Sequence, residues 1–145
     1  MKIELKETPL QPWHELETYQ QSQAISHGKF GATVSFVGTM RDFNEGDNVE
    51  SLFLEHYPEM TRSYLNKIAD EALKRWDIVD VLMIHRYGEI HPNDTIVVLA
   101  IWSAHREEAF QACRYLIEEL KRRAPFWKKE TLADRQVTRW VEQPH

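Results

Sequence analysis

Only one cysteine, Cys113, stands among the 145 residues, which excludes an intrachain disulfide and a cysteine-rich zinc site. Long apolar runs are also missing. The longest uncharged apolar stretch, residues 95–104, is half of the roughly 20 residues that a membrane-spanning helix needs, so no membrane association is expected. Glu4, Lys6 and Glu7 interrupt the segment where a secretory signal would place its apolar core, and a cytoplasmic location follows as the expectation. Glycine (5) and proline (6) are too sparse to build a linker, and no repeat or low-complexity tract is visible, so residues 1–145 read as a single domain. Positive charge is in deficit, with 18 Lys and Arg against 23 Asp and Glu and a net charge of −5. That balance argues against nucleic acid as a partner, because such affinity comes from cations that neutralise phosphates. A glycine-rich phosphate loop, His-Glu-x-x-His, and a Gly-x-Ser-x-Gly elbow are all absent. His56, His85, His91 and His105 lack helical i, i+4 spacing and carboxylates at ligand-like intervals, so no metal site is expected.

What is present is an ordinary folded composition, 42% hydrophobic and 28% charged, enough for a real core. Pro12 opens a first helix through Trp13, Leu16 and Tyr19. Residues 32–40 and 49–57 read as strands joined through Asn44, Glu45, Gly46 and Asp47, and a hairpin with a long loop is the expected pairing. Met60, Tyr64, Ile68, Ala72 and Trp76 then recur every four residues as the stripe of a second helix. Residues 81–87 and 95–103 are apolar, β-branched runs that suit an antiparallel pair. Ala109, Phe110, Cys113, Leu116, Ile117 and Leu120 form the apolar stripe of a third helix, which Pro125 stops. A thiol in such a stripe behaves as a small hydrophobe, so Cys113 reads as core and not as a nucleophile. Residues 126–142 read as short strands. Strands and helices without regular alternation indicate an α+β fold, with antiparallel sheets and about three helices packed on them.

Positive charge is concentrated where the rest of the chain is acidic: Lys121-Arg122-Arg123-Ala124-Pro125-Phe126-Trp127-Lys128-Lys129. Cations at a helix carboxy terminus are favourable by roughly 0.3–1 kcal/mol each, which accounts for the first half of the cluster. Lys128 and Lys129 lie beyond Pro125, and the helix dipole does not account for them. On a helical projection Arg106 falls about 40° from Leu120, within the arc of Leu116 and Ile117, so it is expected to point inward from the helix's amino-terminal turn. A bound anion or a partner surface would remove that double penalty; a side chain that snorkels past the helix end is the structural alternative. His105 precedes it at the strand-to-helix junction, where free N–H groups help to bind phosphate. The projection puts Lys121 at the border of the apolar stripe, better placed for a pocket than Arg122. Arg41 ends the strand at 34–40 and starts a loop, a position from which a guanidinium reaches a ligand, although a solvated loop arginine has the same sequence.

Several stretches together match a known family: Phe-Val-Gly-Thr-Met-Arg (36–41), Gly46-Asp47-x-Val49, Leu-Glu-His-Tyr-Pro-x-Met (54–60), Ile-His-Arg-x-Gly-Glu (84–89), Ser-Ala-His-Arg (103–106) and Leu-Lys-x-Arg-Ala-Pro-Phe-Trp-Lys-Lys-Glu (120–130). In order from about Gly31 to Glu142, the chain resembles the large, catalytic subunit of molybdopterin synthase. The resemblance implies an alpha/beta-hammerhead-like fold and a sulfurtransferase. In that family the cyclic pyranopterin monophosphate called precursor Z receives two sulfurs and becomes the dithiolene of molybdopterin. Sulfur arrives as a thiocarboxylate on the carboxy-terminal tail of a small ubiquitin-like subunit, so no cofactor is implied beyond the pterin that is itself the product. The implied assembly is a heterotetramer built on a homodimer of large subunits.

Carried over by position, Lys121 resembles the lysine beside the incoming tail and Lys128 its catalytic companion. Arg41, His105 and Arg106 resemble the residues that hold the pterin phosphate, the last two in a pocket that includes groups from both large subunits. Thr39, Met40, Lys129 and Glu130 match stretches that line the substrate pocket. Relatives often continue beyond the Arg-Trp-Val-Glu match at 139–142 and bring in another basic residue; here Arg135 or Arg139 is the substitute on offer. Two other classes of function remain to be weighed: a docking platform that receives the tail without chemistry, and a general anion or nucleic-acid binder.

Overall fold

A computed structural model describes residues 1–22, 25, 27–123, 125–133 and 138–141. Strand β1 (Lys2–Lys6) is followed by α1 (Pro12–Gln21), where Pro12 sits at a position whose missing N–H costs nothing. Pro58 opens α2 (Pro58–Arg75) in the same way. Helix α3 (Arg106–Arg123) carries Glu107 and Glu108 in its first turn and three cations in its last, matching its dipole. The remaining elements are β2 (Ala32–Thr39), β3 (Phe43–Asn44), β4 (Asp47–His56), β5 (Asp80–Arg86), β6 (Gly88–Ile90), β7 (Thr95–Ser103), β8 (Phe126–Leu132) and β9 (Thr138–Val141). Among the described residues there are three helices, as expected, in an α+β arrangement.

Two sheets carry the fold. The first runs β1-β5-β7-β2 and is covered on both faces. Ile68 and Ala69 of α2 and Cys113 and Leu116 of α3 pack against Val81, Met83, Leu99 and Ile101. Leu10, Tyr19 and Ile25 cover Leu82, Ile84, Val98 and Trp102 on the other face. That double coverage is why β5 is buried at every position and β7 at all but one, with apolar centres that do not alternate. The second sheet runs β3-β4-β8-β9, with β6 also paired to β4. Met40, Val49, Leu52, Leu54, Ile90 and Leu132 form its buried face.

The expected β5–β7 pair is present, with Val81 opposite Ile101. The hairpin expected between 32–40 and 49–57 is not: β2 pairs with β7 in the first sheet, and β4 pairs with β3, β6 and β8 in the second. The connecting loop carries the chain from one sheet to the other: β4 is taken by β8 along one edge and by β3 and β6 along the other, while β2 stays at the edge of the first sheet. The first sheet is also mixed, because β1 lies parallel to β5. Two stripe residues were misplaced by helical periodicity. Met60 is exposed because each four-residue step drifts about 40° around the helix, so a stripe centred on Ile68 has turned away two steps earlier. Phe110 is exposed because the buried stripe of α3 follows Ala109, Ala112, Cys113, Leu116 and Leu120.

Candidate active site

The alternation of β8 sets the geometry of the cationic cluster. Lys128 shares a face with Phe126 and Glu130, both buried, whereas Lys129 shares the opposite face with exposed Trp127. Lys129 holds its Nζ 5.5 Å from the ring of Trp140, on the neighbouring strand β9. The two adjacent lysines therefore serve different surfaces.

Around Lys128 three elements converge. Lys121, in the last turn of α3, keeps its Nζ 5.8 Å from the ring of Phe36 on β2. Arg41 follows the end of β2 and lies over Phe43, 4.8 Å from the ring centroid. Burial, followed by the charge of Lys121, holds the Lys128 amine below the usual lysine range; Glu130 acts in the opposite direction, and Arg41 adds to the depression. Among the described residues none of Arg41, Lys121 and Lys128 forms an ion pair. Three cations that share one field, opposed by the single carboxylate of Glu130, make an anion-binding site. Among the described residues no group of three or more His, Cys, Asp or Glu comes together for a metal ion.

The other expected pocket residues fall into distinct places. Thr39 is exposed at the end of β2, where the register against β7 shifts. Met40 is buried among Val49, Leu52 and Leu54, so it supports the Arg41 loop from below. Glu130 is buried and accepts from Arg139 Nε at 2.9 Å and from Asn44 Nδ2 at 3.1 Å. Arg139 also donates to Asp47 at 2.9 Å, so it is engaged within the second sheet; Arg135 lies outside the described residues.

His105 and Arg106 stand apart. They line a depression of about 490 Å³ with Gly31, Ala32, Ala104 and Glu107 at the junction of β7 and α3. A Cβ on Gly31 would lie 2.6 Å from the Ala104 carbonyl oxygen, so only glycine permits this close approach. Arg106 does not point inward: it is exposed, because the core ends at Ala109 and the first turn of α3 extends beyond it. Fifteen residues of helix separate it from Lys121, a rise of about 22 Å. Strand β2 gives the same separation, with Ala32 at one end beside Ser103 and Arg41 just past the other. Within one chain, the two basic groups occupy opposite ends of the first sheet.

Sequence reasoning gave no role to His85, although it lies beneath the cluster. Its ring stacks on Phe126 with centroids 4.0 Å apart and planes 15° from parallel. The available signal was a histidine directly after the apolar run Val81 to Ile84. Cys113 is buried in the helix interface, which pushes its thiol up to about 11, in keeping with a core role.

A model of the family described as MoaE protein matches residues 12–123. A relative in Ralstonia nicotianae named molybdopterin synthase catalytic subunit is 51% identical over 114 residues, 79% of this chain and 64% of the relative. One of the same name in Pseudomonas aeruginosa is 45% identical over 98% of this chain and 91% of its own. The crystal structure of molybdopterin synthase from Staphylococcus aureus superposes with a TM-score of 0.81 at 31% identity, covering 95% of each chain.

Proposed function

This chain belongs to the MoaE family, and from that membership we propose that it is the catalytic subunit of molybdopterin synthase, a sulfurtransferase of molybdenum cofactor biosynthesis. Its substrate is the cyclic pyranopterin monophosphate, and its sulfur comes from the carboxy-terminal thiocarboxylate of a small ubiquitin-like subunit. The observation that carries the assignment is the convergence of Arg41, Lys121 and half-buried Lys128, none of them in an ion pair among the described residues. Both reactants are anionic at the reacting end, one a thiocarboxylate and the other a phosphate ester. Preorganised cations favour their approach and stabilise charge that develops as sulfur leaves the acyl carbon for the pterin side chain. At the pterin carbon each new C–S bond replaces a C–O bond, whose oxygen stays with the phosphate or leaves as water; water then cleaves the acyl–sulfur bond and leaves the tail as a carboxylate, and two rounds complete the dithiolene. Lys121 is the ammonium that polarises the tail carbonyl. Lys128, whose depressed pKa eases loss of its proton, is the group suited to proton transfer.

His105 and Arg106 enter the site from a second copy of the chain, since α3 and β2 hold them away from Lys121 and Arg41 of their own. The working assembly in this proposal is a homodimer of large subunits with one small subunit at each end. No resident cofactor takes part, because the metal-binding pterin is the product. The proposed place of action is the cytoplasm; no helix of the described residues is long and apolar enough to cross a membrane.

The test is reconstitution of the purified chain with thiocarboxylated small subunit and precursor. Dithiolene formation is the expected result. Tight association without turnover would instead make the chain a docking platform, and broad anion affinity with a steep salt dependence would make it a general phosphate binder.

A further inference from the structure

A histidine with no part in the sulfur transfer just described sits at the junction of the two sheets. His85 is the penultimate residue of β5 in the first sheet, and the ring it stacks on, Phe126, begins β8 in the second. Phe126 also meets His56 of β4 with centroids 5.8 Å apart, and His56 in turn packs edge-on against Tyr87 at 4.5 Å. Helix α3 ends at Arg123, so residues 124 and 125 alone separate the Lys121 turn from the Lys128 strand. Where Phe126 is anchored therefore decides where Lys128 points.

We propose that His85 is a positioning residue for Lys128: its uncharged ring, pinned to the Arg86 carbonyl and laid flat on Phe126, fixes the start of β8 so that the Lys128 amine is held facing Lys121 and Arg41. The inference rests on the role of Lys128 proposed above. His85 Nδ1 lies 2.6 Å from the Arg86 carbonyl oxygen. A carbonyl only accepts, so Nδ1 carries the hydrogen and Nε2 does not. The bond locks both the tautomer and the plane of the ring, which a purely apolar side chain would not do. Neutrality is equally part of the design. Lys128 is faced by Lys121 from α3, Arg41 after β2 and Glu130 on its own strand, and His85 is faced by Lys128 and His56. A further positive charge there would oppose Lys128. Burial prevents this by lowering His85 to about 4.

The test is an NMR titration of the full-length chain labelled with 13C at the lysine Cε, with the Lys128 signal assigned by its loss in Lys128→Arg. In the wild type, Lys128 should titrate below the other lysines. His85→Gln removes the ring, and the separation of Lys128 from the other lysines should be lost. His85→Phe keeps an aromatic face on Phe126 but loses the bond to the Arg86 carbonyl, and the separation should fall between that of the wild type and that of His85→Gln. Retention of the separation in His85→Gln, or its absence in the wild type, would overturn the inference. If His85→Gln does not fold, Phe126→Leu opens the same stack from the strand side and is read by the same two outcomes. No substrate enters the measurement. A chain that forms no dithiolene therefore refutes the sulfur-transfer proposal and leaves the role of His85 to be decided independently.

Discussion

Arg139 Nε donates to Glu130 at 2.9 Å and ties the last described strand to the strand that carries Lys128. Glu130 is buried, so its charge needs this partner. Arg139→Ala should lower the melting temperature and turnover together. Because the carboxylate is shielded from solvent, added salt should not reproduce the loss. A melting curve at low and high ionic strength checks both points; a defect that salt mimics in the wild type would show the pair to be a surface contact.

Lys121→Ala and Lys128→Ala should each reduce turnover by about 10²–10³-fold, the cost typical of removing one preorganised charge at a reacting centre. Association with the small subunit should change far less, as read by calorimetry beside single-turnover sulfur transfer. Unchanged turnover in either variant would remove that lysine from the mechanism.

Arg106→Ala should raise the precursor concentration for half-maximal rate with little change in melting temperature, because the side chain is exposed. A complementation experiment then tests whether it serves the neighbouring subunit. Mixing Arg106→Ala chains with Lys128→Ala chains leaves one intact site in each mixed dimer and should restore roughly a quarter of wild-type turnover. Failure to recover would place Arg106 and Lys128 in the same chain's site.

Stability should depend on pH through His85. Its folded pKa is lowered from 6.5 to about 4, so the unfolded chain binds the proton more readily. The contribution is complete above 6.5 and is lost as pH falls from there toward 4, amounting to on the order of 3 kcal/mol. Denaturant unfolding at a series of pH values should show this slope in the wild type, and in His85→Phe it should shrink to what His56, also lowered by burial, contributes.

Gly31→Ala should cost roughly 1–3 kcal/mol, since its methyl group meets the Ala104 backbone and one of the two must move. The displacement falls on the His105 and Arg106 turn, so precursor binding should weaken along with stability.

Much of the fold was readable because both periodicity and turn chemistry point the same way. Pro12 starts a helix, and the apolar runs 81–87 and 95–103 pair as expected, with Val81 opposite Ile101. The pairing of β2 was not readable: its apolar residues fit equally beside β4 or β7, and only the switch between sheets decides. The site shows the same division. Lys121 and Lys128 stood out as cations in an acidic chain, while Arg106 was turned inward by a projection that took no account of where the core ends. Lys129 illustrates a further limit, since adjacency in sequence puts neighbouring strand residues on opposite faces. His85 belonged to a quoted motif, yet its meaning depends on a ring contact between residues 41 positions apart.

The length of β2 has one more consequence. By setting Arg41 and the Arg106 turn at opposite ends of a strand eight residues long, it gives a solitary chain two half-equipped ends and no complete one. Output per molecule should then fall on dilution once chains part company, making the subunit's own concentration a control on the reaction.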